Sequence, residues 1–449
     1  MMNTSLVWLR DDLRLADNPA LDAALRAGDR TAVMYVLDDE SPEVRPLGGA
    51  SRWWLHHSLR QLQKDLTALG GSLILRRGAA RDVLPAVVAE IGATSVHWNR
   101  RYGSARAIDT DLKVSLTDAH SYTGSLLHDP WSVTTGAGTP FKVFTPFWKS
   151  ILAGPAPRQS VTAPRSIAGV EATSDLLDSW NLLPDRPWAN DFPNQWTPGE
   201  TGARERLERF LDNGLALYHR RDEPGIESTS GLSPHLRFGE ISPYQVWHAV
   251  ESVVTPETRA NASRFLSEVG WREFSYHQLF HNTDLHRRNL RAEFDEFPWE
   301  EPNPAHLSAW KKGKTGVELV DAGMRELWKI GTMHNRVRMV AASFLIKNLG
   351  IDWRIGEAWF WNTLVDADEA SNPASWQWVA GSGYDAAPYF RVFNPELQAA
   401  KFDPDSVYRA RWIEEYNTPL YPEPIVSLSD TRARALADYA TMRGERPQQ

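Results

Sequence analysis

Hydrophobic and polar positions follow two different rhythms along the chain. Up to residue 125, short apolar runs alternate with longer amphipathic stretches. Leu6–Arg10 reads as a strand and Asn18–Ala27 as a helix, with Pro19 just inside its start and Gly28 just past its end. Thr31–Leu37 is a buried strand, and Ser51–Leu69 an amphipathic helix ending at Gly70-Gly71. Ser72–Leu75, a helix around Asp82–Ile91 and Ser95–Trp98 continue the alternation. This order predicts a doubly wound parallel sheet. Residues 126–200 are rich in Pro, Gly, Ser and Thr and read as a surface connector with one ordered piece near Phe141–Ile151. Beyond residue 200 the pattern turns helical, over Glu205–Asn213, Ser242–Val253, Ala262–Leu279, Gly316–Lys329, Asn335–Leu349 and Ile355–Val365. The predicted architecture is an α/β domain (1–125), a connector (126–200) and an all-α domain (201–449), with no internal repeat or heptad array.

Composition narrows the function classes. No apolar run is long enough to span a membrane, and the N-terminus lacks the pattern of a secretory leader. The 449 residues include no cysteine, which removes disulfides, thiolate metal sites and thiol nucleophiles and fits a cytoplasmic protein. The net charge is -8; residues 1–200 carry 20 Lys+Arg against 22 Asp+Glu, leaving 29 against 35 for the rest. Neither half is basic, so any nucleic-acid site must be a local arginine cluster. The 20 tryptophans mostly serve a large aromatic core, with some free to stack on a flat chromophore or on bases.

Several segments could carry chemistry. Arg336 and Arg338 are two apart on a helix and point to different faces, one able to meet solvent and one inward. A buried arginine needs an acid, and Asp366-Ala367-Asp368-Glu369 supplies candidates. The pair reads either as a structural salt bridge or as a charged wall around a polar cofactor. The Ser228–Pro234 loop offers four hydroxyls and free amides before a helix at Ser242, able to hold a phosphate or simply to cap. Asn372–Trp378, with Trp353, Trp359 and Trp361, is aromatic-dense and reads as core or as an electron path. G-x-G-x-x-G, Walker, H-E-x-x-H and G-x-S-x-G patterns are all missing, so the sequence predicts no metal site and no serine hydrolase.

Together these segments resemble the cryptochrome/photolyase family. The likeness is carried by LVWLRDDLRLADNPAL (6–21), FKVFTPFW (141–148), STSGLSPHLRFGEISP (228–243), WREF (271–274), MHNRVRMVAASFLIKNLGIDWRIGEAWF (333–360) and SWQWVAGSGYDAAPYFRVFNP (375–395). The resemblance implies an N-terminal α/β antenna-type domain and a helical domain that binds FAD and DNA. It implies light-driven repair of cyclobutane pyrimidine dimers by electron transfer from reduced FAD to a lesion flipped out of damaged DNA. No obligate protein partner is implied.

By the resemblance, Tyr218, Thr229, Ser230, Gly231, Leu232, Ser233, Arg272, Arg338, Asp366 and Asp368 are expected on the FAD, the 229–233 loop at its diphosphate. Asn372 is expected beside the flavin ring, and Trp376, Trp353 and Trp299 form the electron chain from flavin to surface. Glu268, Trp271, Asn335, Met339 and Trp378 are expected to receive the lesion. Arg221, Arg272, Arg336, Arg391 and Gln398 are expected on the phosphate side of the DNA. The six-four branch of the family has a histidine where Met339 stands, so Met339 favours cyclobutane dimers.

The sequence also departs from the family. Gly231 replaces a common arginine, the Trp299 to Trp310 spacing is one residue longer than in some relatives, and 313–323 differs modestly from the usual pattern. Residues 100–104 lack the Asn–Glu pair that holds a folate in some members, leaving folate, deazaflavin or no second chromophore open. The alternatives are a cryptochrome photoreceptor, a six-four photolyase and a flavoprotein with no light role. The chain ends about 50 residues after the 390–395 motif with no long tail, which favours the enzyme.

Overall fold

The computed structural model describes residues 2–184, 187–386 and 390–444. Three residues of the 375–395 motif, 387–389, lie outside the described residues.

The first domain alternates as the pattern predicts: β1 (Thr4–Leu9), α1 (Pro19–Ala27), β2 (Arg30–Leu37), α2 (Gly49–Ala68), β3 (Leu73–Arg77), α3 (Ala80–Ile91), β4 (Ser95–Asn99), α4 (Arg106–Ser115) and β5 (Ala119–Tyr122). The five strands lie in the order β3-β2-β1-β4-β5, with every pairing parallel. Both faces are covered by helices, so β1 is buried along its length and apolar from Leu6 to Leu9. Asn18 caps α1 through its side chain, which accepts from Leu21 N, and Pro19 opens the helix where no amide partner is needed. The strand order reverses between β1 and β4, which leaves a crevice at the carboxyl ends of the strands.

The 126–200 stretch is not a surface strap. It contains α5 (Phe144–Ala153) and α6 (Phe192–Gln195), and Ile167, Val170, Leu177, Trp180, Leu182 and Trp196 are buried. Ile167 N donates to Leu69 O (2.7 Å) just after α2, Thr31 N of β2 to Ala168 O (2.8 Å) and Asp175 N to Leu75 O of β3 (2.9 Å), so the segment passes from the start of β2 to the outer edge of β3. Its apolar residues are dispersed among Pro, Gly and Ser, which hides a buried segment from a periodicity reading.

The remainder is helical: α7 (Glu200–Arg209), α8 (Leu215–Leu217), α9 (Ser233–Arg237), α10 (Pro243–Val253), α11 (Arg259–His281), α12 (Pro304–Lys312), α13 (Glu318–Ile330), α14 (Asn335–Ser343), α15 (Trp353–Thr363), α16 (Ser371–Ala380), α17 (Pro395–Phe402), α18 (Val407–Trp412) and α19 (Leu428–Met442). A π turn over Phe344–Asn348 ends α14 earlier than the apolar pattern implied. Ser242 and Gln245 form a reciprocal capping box on α10.

The two domains interlock. Leu13 N donates to Phe238 O (3.0 Å), and Arg14, wholly buried, donates to Gly239 O (2.9 Å). Arg237 pairs with Asp11 (2.5 Å) and donates to Ala367 O (2.9 Å). Arg45, from the loop after β2, makes a two-pronged pair with Glu357 of α15 (2.7 and 2.8 Å).

Candidate functional site

Helical spacing brings three faces together. Glu268, Trp271 or Arg272, Ser275 and Gln278 lie along one side of α11; Asn335, Arg338, Met339 and Ala342 along α14; Asn372, Ser375, Trp376 and Val379 along α16. With the 229–233 loop they enclose a cavity of about 570 Å³. That volume lies in the range of pockets that hold extended organic ligands.

Most of the residues expected at the cofactor and at the lesion line this one cavity. Tyr218, Thr229, Ser230, Leu232, Ser233, Arg272, Arg338, Asp366, Asp368, Asn372 and Trp376 are on its wall, as are Arg221, Glu268, Trp271, Asn335, Arg336, Met339 and Trp378. Arg338 meets Asp366 through both terminal nitrogens (3.1 and 2.9 Å), and Ser233 Oγ donates to the same carboxylate (2.6 Å). The Asp368 carboxylate accepts from the amides of Ala370 (2.8 Å) and Ser371 (2.5 Å), fixing the turn that leads into α16. Asn372 Nδ2 donates to Glu357 Oε1 (2.8 Å), so one carboxylate joins Arg45 of the first domain to the cavity wall. Burial pushes the Tyr218 phenol up to about 12, with the Glu268 charge adding to it, and desolvation holds the half-buried His334 imidazole down to about 4.

Five of the expected residues stand off the wall. Gly231 has φ +62, and a Cβ there would come 2.6 Å from Arg206 Nη1. The Arg206 guanidinium, over the Trp196 ring at 4.5 Å, fills the space beside a turn that only glycine takes comfortably. Trp353 is fully buried, its indole N–H on Asn289 Oδ1 (3.0 Å), and Trp299 is half-buried against Phe297 (4.5 Å between rings). A Cβ on Gly356 of α15 would collide with the Trp376 ring, so this helix, which begins with Trp353, backs Trp376 directly. Trp376 also meets Trp310 edge-on at 6.4 Å. Arg391 lies 5.5 Å over the Trp378 ring, and Gln398 sits half-buried on α17.

Two expectations need correction. Neither Arg336 nor Arg338 faces solvent: their side chains are 18% and 26% exposed and each holds an acid. The partner of Arg336 is Asp222 (2.9 Å), from the segment beside Arg221 and not from 366–369, and Phe402 covers the guanidinium at 4.5 Å. Arg272, on the cavity wall, donates to the carbonyls of Ser125 (2.8 Å) and Leu236 (3.3 Å).

Sequence reasoning also missed residues that the cavity uses. Asp222, Gln278, Tyr384 and Asp385 line it, and Glu357 lies just behind Asn372. Asp222 had one available signal, an acid directly following Arg221; Glu357 had none, because its partners are 15 and 312 residues away.

A second, tighter cleft of about 120 Å³ opens at the strand-order reversal of the sheet. Arg10, Asp11, Asp12, Arg45, Arg101 and Glu369 are among its lining.

Comparison with known proteins follows this geometry. The model of the DNA photolyase family matches residues 5–165, and that of the FAD binding domain of DNA photolyase matches residues 265–419. A deoxyribodipyrimidine photo-lyase of Agrobacterium fabrum is 46% identical over 98% of both chains. Cryptochrome-1 of Arabidopsis thaliana is 35% identical over 96% of this chain and 69% of its own length. The crystal structure of a bacterial class III photolyase from Agrobacterium tumefaciens superposes with a TM-score of 0.93 at 44% identity, covering 99% of this chain and 98% of that one.

Proposed function

The chain belongs to the cryptochrome/photolyase family and contains its FAD-binding domain; from that premise we infer that it is a deoxyribodipyrimidine photo-lyase, repairing cyclobutane pyrimidine dimers in damaged DNA under blue light. The observation that carries this reading is the single cavity. Residues expected at a cofactor and residues expected at a lesion line one continuous space of about 570 Å³.

The residues present fit the group. The amides and hydroxyls of 229–233 would hold its diphosphate, and the Arg338–Asp366 pair and Asp368 would flank its polar edge. Asn372, oriented by Glu357, would present its side-chain amide to the ring system. When bound and reduced, FAD supplies the light-driven electron that splits the dimer. Trp271, Trp378 and Met339 give the lesion an apolar seat and exclude water around it. Glu268, paired with Arg221 at 2.5 Å, offers its carboxylate to a pyrimidine edge. Trp376, Trp353 and Trp299 would carry electrons inward from the surface. Arg336, on exchanging Asp222 for a phosphate, and Arg391 are the proposed contacts to DNA phosphates, local arginines within an acidic chain.

A second chromophore of folate or deazaflavin type is proposed for the cleft at the sheet reversal. The enclosed part is too small for a whole ring system, so most of it would lie at the mouth.

The test is direct. The purified protein is reduced, mixed with an oligonucleotide bearing one cyclobutane thymine dimer, and illuminated with blue light. Light-dependent loss of the dimer is expected. A protein that carries reduced flavin yet leaves the dimer intact in light defeats the enzyme reading and favours the photoreceptor one.

A further inference from the structure

The connector contributes to the cavity through a ring that does not line it. Phe144, the first residue of α5, lies face to face with Trp271 at 3.9 Å between ring centroids and 11° between planes. Trp148, one turn further along α5, stacks on Phe144 at 6.3 Å and also 11°. Both indoles therefore lie nearly parallel to the Phe144 ring. Trp247 of α10 then closes the row edge-on to Trp148 at 6.1 Å. The approach depends on the residue before Trp271: a Cβ on Gly270 would lie 2.5 Å from the Trp148 ring.

Both ends of the arrangement are fixed. No side chain at the N-cap position of α5 satisfies its first amides, but Asp385 accepts from Phe144 N (3.2 Å). Asp385 itself lines the cavity, and a carboxylate at this end of the helix is favoured electrostatically. At the other side Phe141 N donates to His277 Nε2 of α11 (3.0 Å). Phe144 thus covers one face of Trp271, which itself lines the cavity.

We propose that Phe144 is a positioning residue for lesion binding: it sets the plane of Trp271 from behind, so that the free face of the indole meets a flipped base flat. The proposal rests on the repair reading above. It gives the FKVFTPFW segment a role in recognition, although that segment lies outside the helical domain by sequence.

The test compares wild type, Phe144→Leu and Phe144→Tyr as flavin-loaded protein. Binding is measured to a dimer-bearing oligonucleotide and to the same oligonucleotide undamaged, and repair is measured under saturating light. Leucine keeps bulk but removes the ring, and should weaken binding to the dimer about three- to tenfold, the range of one aromatic pair. The loss should fall in KM, with the saturated rate, flavin content and undamaged-DNA affinity unchanged, and tyrosine should restore it. Dimer affinity within about twofold of wild type in Phe144→Leu overturns the proposal. So does an equal loss on both oligonucleotides or a loss of flavin, which would mark a packing role only. A wild type with no preference for the dimer removes the repair reading first, and this proposal with it.

Discussion

Arg45→Met should destabilise the protein well beyond an ordinary surface substitution. The Arg45–Glu357 pair joins the two domains by two hydrogen bonds, at 2.7 and 2.8 Å, with Arg45 19% exposed and Glu357 2% exposed at the side chain. Removing one partner of a buried pair costs roughly 3–5 kcal/mol, because the other charge stays buried and unpaired. Partial exposure of Arg45 lets water compensate, lowering that to about 2–3 kcal/mol. The guanidinium also lies 4.0 Å from the Trp361 ring, whose loss adds about 0.5–1 kcal/mol. Methionine keeps the apolar stem, so lost packing contributes little. The total is about 3 kcal/mol, read from urea unfolding followed by tryptophan fluorescence. Glu357→Gln on the Arg45→Met background should recover much of the loss, with a coupling energy of about 1.5 kcal/mol or more in the double-mutant cycle. A single-variant loss below about 0.5 kcal/mol would refute the reasoning, since the pair would then behave as a solvated surface pair.

Three further outcomes are expected. Burial pushes the Glu273 carboxyl up to about 7, against the 4.5 of an ordinary glutamate, so the unfolded chain ionises first and native stability falls as pH rises between those values. Glu273→Gln should accordingly gain on wild type by about 3 kcal/mol from pH 4.5 to 7, and unfolding curves that stay parallel across that window would contradict it. Trp376→Phe should slow photoreduction of bound oxidised flavin at least about tenfold with an external donor present; a normal rate would point to another path or to a flavoprotein without a light role. Arg336→Ala should make the slope of log affinity against log salt shallower by about 0.9 for DNA; an unchanged slope would leave Arg336 as the structural partner of Asp222 alone.

The sequence made some layers legible and left others hidden, for physical reasons. The parallel sheet could be read because buried strands such as Thr31–Leu37 are short apolar runs bounded by Gly and Asp. Strand β5 (AHSY) was missed because it is polar and lies at the edge of the sheet. The connector was misread because edge-covering backbone needs no periodicity. At the site, a buried arginine at 336 or 338 demands an acid and 366–369 offers candidates, but it was the resemblance that singled out Arg338 and Asp366. The Asp222 partner of Arg336 had only its place beside Arg221 to mark it, and the Arg45–Glu357–Asn372 chain is a tertiary fact with no local signature. Gly231 shows the converse. A departure from the family pattern becomes intelligible once its positive φ and the Arg206 side chain are seen.

The course of residues 165–180 along β3 bears on how the protein comes into being during synthesis. An outer strand with free carbonyls and amides is a template for another chain. Until Ser174 and Asp175 reach Leu75, that template is open and the place of Trp180 beside Tyr35 is unfilled. The first unit able to settle as the chain leaves the ribosome therefore extends past the last strand by nearly sixty residues, as far as Trp180. Translation that stalls between Tyr122 and Trp180 would leave an adhesive intermediate rather than a finished α/β domain.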